Sequence, residues 1–214
     1  MRNPGHRREE VLKAALECFL ERGVEGTTMA AIRERSGAST GSIYHLFESK
    51  EAIAAALYLE VLGEYQTGLL KELEQHPGAR EGIEALVRHH LDWSLSRPDA
   101  ARFLVEARSG AAVTAAETRI REQNKGFFRQ LKDWWQGHVR DGTFDEIPFE
   151  LFLAILRGPA QEMLREWLAG RTKTDPRTAI PVLAHAAWQS VEKRPTSART
   201  LRKKKSVQQE FDPS

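Results

Sequence analysis

The chain has a single cysteine, Cys18, in 214 residues, so no disulfide can close within it, and a chain of this length buries a core without one. A lone thiol suits a reducing cytosol. Runs approaching the roughly 18 uncharged apolar residues of a membrane helix are missing, and Met1-Arg2-Asn3-Pro4-Gly5-His6 leads into charge, not into the apolar segment of an export signal. A cytoplasmic chain with no membrane partner is expected. Alternating β-branched runs of period two are almost absent, which excludes a sheet-based fold. A bulk excess of one charge is lacking too. The net +2 conceals seven Lys/Arg from Lys193 onward, and residues 1–192 carry 25 Lys/Arg against 28 Asp/Glu. Nucleic-acid binding therefore has to be argued from local geometry.

The recognisable apparatus of catalysis is also missing: there is no nucleophile motif, phosphate-cradling glycine loop or pair of carboxylates at working distance. Neither an enzyme nor a cofactor is expected. His89 and His90 are neighbours on a helix and point about 100° apart, so they do not readily share one ion. His6, His45, His76, His138 and His185 show no ligand spacing either, so no metal site is expected.

What the chain does have is helical periodicity. Val11, Leu12, Ala15, Leu16 and Phe19 set the pattern, and it recurs nearly throughout. The spacing predicts an all-α fold with helices near 6–22, 28–35, 40–46, 50–75, 80–96, 98–109, 114–140, 148–169 and 176–193. Gly23, Gly37, Pro77-Gly78, Pro98, Gly110, Gly142 and the stretch from Gly170 to Asp175 mark the breaks. Pro159 should kink its helix. Residues 195–214 are basic and poor in apolar groups, and are expected to be a disordered tail or a nonspecific phosphate contact.

The informative segment is Thr27 to Lys50, TTMAAIRERSGASTGSIYHLFESK. Thr28 can cap a helix with Met29, Ile32 and Ala31 inward. Gly37 can supply a left-handed turn residue, and Ser39 or Thr40 can cap a second short helix. Ile43 and Phe47, four apart, would anchor that helix, leaving Thr40, Gly41, Ser42, Tyr44 and His45 outward. A helix-turn-helix presents such a face to the major groove. Hydroxyls at Thr40 and Ser42 can exchange hydrogen bonds with bases, Gly41 permits close approach, and Tyr44 and His45 can reach phosphates or a thymine methyl. Lys50 is a phosphate-contact candidate by charge and position.

These residues resemble the DNA-binding domain of the TetR (tetracycline-repressor-like) family of bacterial transcriptional regulators. The match runs over about residues 7–55: Val11-Leu12, Ala14-Ala15, Phe19, Gly23, Thr27-Thr28, Ile32, Gly37, Ser39, Gly41-Ser42-Ile43-Tyr44, Phe47 and Ser49-Lys50-Glu51. One departure is Leu46, where the family usually has His. The resemblance implies that Thr28 and Lys50 touch the DNA backbone. It also implies that Thr40, Gly41, Ser42, Tyr44 and His45 form the recognition surface, next to the Ser39 cap.

On that resemblance the chain divides into a three-helix head, residues 1–50, and a larger helical domain, residues 51–194, that binds a small-molecule effector and pairs subunits. The expected partners are a palindromic double-stranded operator, an unidentified lipophilic or aromatic effector, and a second copy of the chain, acting as a ligand-released repressor. Candidate pocket residues are Leu86, His90, Trp93 and Phe103 on one side and Asn124, Phe127, Leu131 and Trp134 on the other. The same rings would serve equally as core, and a buried His90 or Asn124 could find its partner in a ligand, a water or a side chain. The apolar positions Phe152, Leu156, Met163 and Trp167, with Leu183, Ala187 and Trp188, mark the last two helices as the expected dimer interface. An interaction module without DNA binding would keep the same fold.

Overall fold

The computed structural model describes residues 4–107, 110, 114 and 116–194, and all the regular elements among them are helical. The expected tail, 195–214, lies outside them. In chain order the helices are α1 (Pro4–Gly26), α2 (Met29–Ser36), α3 (Thr40–Leu46), α4 (Lys50–Gln75), α5 (Ala79–Ser96), α6 (Pro98–Glu106), α7 (Glu117–Arg140), α8 (Phe149–Leu168) and α9 (Ile180–Val191), with a 3₁₀ turn at Pro176–Ala179 ahead of α9. No described helix is long and apolar enough to cross a membrane.

The breaks follow from local chemistry. Gly23 departs from helical geometry at φ 70°, ψ 166°, a region open to glycine and costly for other residues. The Thr27 hydroxyl, fully buried, lies 2.8 Å from the Gly23 carbonyl and 3.1 Å from that of Cys18, so its single O–H is shared between main-chain acceptors at the break. Pro159 sits inside α8, which continues through it as one helix.

Two apolar cores share the molecule. The first joins the head to the rest: Val11, Ala15, Phe19, Ile32, Ile43 and Phe47 pack with Ile53, Leu57 and Val61 of α4 and with Trp93 and Phe103. The second, between α5, α7, α8 and α9, sets a nest of rings among aliphatic residues, with Phe152 fully buried among Trp134, Trp135, Phe144 and Phe149 at centroid distances of 5.9–6.3 Å. The long helix α4 runs through both. Its fit against α5 is close at Gly68, where an added Cβ would lie 2.5 Å from His89 Cε1.

Candidate nucleic-acid interface and effector site

Two capped helices assemble the candidate DNA surface. Thr28 is extended and its hydroxyl accepts from the Ala31 N–H at 3.1 Å, starting α2, which Gly37 ends at φ 64°. Ser39, and not Thr40, caps α3 by accepting from the Ser42 N–H at 3.2 Å. The seven residues of α3 bury Ile43, and Phe47 follows it into the same core. Thr40, Gly41, Tyr44 and His45 are exposed and Ser42 is half-buried, so the face opposite the anchor is open along the whole helix. Tyr44 keeps 54 % of its surface accessible, leaving both ring and hydroxyl available to a partner.

Lys50 is placed differently from the other candidates. It begins α4, is half-buried, and its ammonium donates to the Glu25 carbonyl at 2.6 Å with Glu51 3.9 Å away. Its charge therefore helps satisfy the last turn of α1, with two N–H donors left over. Behind the surface, Arg35 makes a two-pronged pair with Glu21 at 2.6 and 3.0 Å, and that bond holds the Glu21 carboxyl below the usual range. Sequence reasoning gave Arg33 no role, yet its guanidinium donates to the Thr40 hydroxyl at 3.0 Å. The signal available was a cation on the exposed side of α2, seven residues before α3.

The eight candidate pocket residues do not share one lining. Phe103 stacks on Phe19 at 5.9 Å and meets Tyr58 edge-on, so it belongs to the contact between head and body. Leu86, Phe127 and Leu131 pack in the second core. Trp134 fills the space beside Gly82 and donates its N–H to the Pro77 carbonyl at 3.0 Å, which fixes it as packing. The remaining three fall in two groups along α4, His90 and Trp93 of α5 facing Tyr65, and Asn124 of α7 facing Gln66. Tyr65 hydroxyl and His90 Nδ1 are 2.9 Å apart, Gln66 donates to Asn124 at 2.8 Å, and Gln123 donates to Gln66 at 3.2 Å. The side-chain partner for His90 and Asn124 is thus present. Trp93 Nε1 is nevertheless buried without a hydrogen-bond partner. Burial, with the Arg157 charge second, pushes His90 down to about 4, so it stays neutral near pH 7, and burial raises the Tyr65 phenol.

The candidate interface residues also divide. Phe152, Leu156 and Ala187 are already buried by their own chain, while Met163, Trp167, Leu183 and Trp188 are half-buried. Helical rotation explains the correction for Phe152: it faces the ring core, and the outward positions of α8 and α9 are others. Leu151 and Val182 are exposed, and a groove of about 340 Å³ is lined by Ala154, Ile155, Pro159, Ala186, Ala187 and Ser190.

Residues 11–57 match the family model for bacterial regulatory proteins of the tetR family. The HTH-type transcriptional repressor KstR2 of Mycolicibacterium smegmatis is 31% identical over 176 residues, covering 78% of this chain and 82% of that protein. Among solved structures, a TetR family transcription regulator from Marinobacter aquaeolei superposes with TM-score 0.73 at 22% identity, over 88% of this chain and 96% of its own. The regulator FadR from Bacillus subtilis, solved in complex with stearoyl-CoA, has TM-score 0.72 at 19% identity, over 84% and 96%. These last two share the fold. With its capped α2 and α3 and its likeness to a repressor over more than three quarters of both chains, the chain belongs to the tetR family of bacterial regulatory proteins, helix-turn-helix transcriptional regulators that bind DNA.

Proposed function

We propose that this regulator works as a homodimer on a palindromic operator and is released from it by a small-molecule effector. The observation that carries the reading is α3 itself: anchored by Ile43, capped by Ser39, and open over Thr40, Gly41, Ser42, Tyr44 and His45. In this role those side chains meet base edges, and Thr28 and Ser39 hold the backbone. Lys50 steadies the head and offers its spare donors to a phosphate. Two heads spaced by about 34 Å or slightly more enter successive major grooves.

The apolar groove between α8 and α9, flanked by Leu151 and Val182, is the surface on which a second copy packs, with small Ala154 and Ala186 allowing close approach. Residues 1–50 then act as the reading head and 51–194 as the pairing and effector domain. The group of Tyr65, His90 and Trp93 marks the effector site, because the buried, unpartnered N–H of Trp93 would be satisfied by a bound ligand. An effector that favours wrongly spaced heads lowers DNA affinity by the factor by which DNA lowers effector affinity.

Selection from random duplexes tests the reading. The expected product is an inverted repeat bound by a species of twice the chain mass, with Ile155→Glu abolishing both dimer and tight binding. Selection of an asymmetric site by a monomer would refute the dimeric arrangement.

A further inference from the structure

The cations of the head are unequally engaged. Arg7, Arg8, Arg22, Arg35 and Lys50 each stand within 4.0 Å of a carboxylate. Among the described residues of the head, Lys13 and Arg33 have none. Lys13 is exposed on α1 and, among the described residues, has no hydrogen bond to α3. Arg33 is tied to it directly, through the 3.0 Å bond from its guanidinium to the Thr40 hydroxyl.

A neutral hydroxyl takes one donor of a guanidinium and none of its charge, so Arg33 keeps a full positive charge and four unused N–H groups. Thr40 opens α3, at the end of the helix that a helix-turn-helix presents to the groove. The bond therefore holds an uncompensated cation on α2 against the first reading residue of α3, in a direction the flexible side chain would not otherwise keep. We propose that Arg33 is a DNA-contacting residue aimed by Thr40, so that α2 and α3 address the duplex as one unit. This rests on α3 being the recognition helix. The acceptors are those a duplex offers beside that helix end, a backbone phosphate oxygen or the O6/N7 edge of a guanine.

The test uses the full chain and a duplex that the wild type selects from a random pool, with affinity measured against salt for Arg33→Ala, Arg33→Lys, Thr40→Val and the Arg33→Ala/Thr40→Val double variant. Arg33→Ala should weaken binding about tenfold or more and lower the salt slope by about one, with the unfolding midpoint unchanged. The double variant should lose distinctly less than the product of the two single losses, because Thr40→Val already releases the guanidinium. Repeating the selection with Arg33→Ala separates the two acceptors. An unchanged site with affinity kept by Arg33→Lys assigns a phosphate, and relaxation at one position of each half-site, not rescued by Lys, assigns a guanine. An Arg33→Ala protein within about twofold of wild type at an unaltered salt slope overturns the contact. Losses that multiply in the double variant overturn the aiming by Thr40. Failure of the wild type to select any duplex would instead strike at the reading of α3, and is seen before any variant is made.

Discussion

The head and the ring core of the body are packed by different means. Branched and small side chains fill most of the head, Val11, Ala15, Ile32 and Ile43 among them, around Phe19 and Phe47. The body surrounds Phe152 with Trp134, Trp135, Phe144 and Phe149, each ring touching others. In the head, inward and outward positions therefore separate cleanly, and what points out is free to bind. In the body the large rings mostly pair with one another, so an aromatic residue there says little about ligand contact.

Three measurements would break or sharpen that contrast. The largest effect belongs to the ring core: Phe152→Ala should cost about 3–5 kcal/mol in denaturant unfolding, since it empties a fully enclosed site whose neighbours are rigid rings. A loss below about 1 kcal/mol would show that the rings collapse into the space and that the core is looser than its geometry.

His90 comes next. Its folded value of about 4 lies below the ordinary 6.5, chiefly through burial and secondly through Arg157, with His89 adding to the depression and Gln161 opposing it. Between pH 6.5 and 4 the unfolded chain takes a proton that the folded chain refuses, so stability falls as pH drops, by roughly 3 kcal/mol over the window. Thermal unfolding at pH 7 and pH 4.5 should show the decline, and His90→Gln should remove much of it. An identical decline in His90→Gln would assign the acid sensitivity to other groups.

The smallest stability effect is expected on the exposed face of α3. Tyr44→Ala should leave unfolding within about 0.5 kcal/mol while changing which duplex is selected. A loss of stability as large as that of a core truncation would mean that the ring supports the head and does not read the operator.

The same contrast decides how much was legible in the sequence. In the head, Thr28, Gly37, Ser39, Ile43 and Phe47 each do one local job that residue type and spacing dictate, and the structure places each one where that job is done. The helix bounds near 40–46 and 50–75 coincide with α3 and α4 for the same reason. Phe103 and Trp134 could not be assigned, because helical periodicity says that a ring faces inward without saying which core it enters. Phe103 joins the head, and Trp134 presses on Gly82 from 52 positions away. Arg33 escaped notice for a related reason. Its partner Thr40 lies across the turn, and an arginine on a solvated helix face looks like any other until the fold shows which carboxylates are already taken.

The hook between Lys50 and Glu25 has a consequence for how the protein can vary. The acceptor at position 25 is a main-chain oxygen, which every amino acid carries, whereas the donor at position 50 is a side chain that few could imitate. Replacement at one end should leave the fastening intact, and replacement at the other should undo it. This one polar fastening of the first helix to the fourth, beside their shared core, is thus guarded by a single codon.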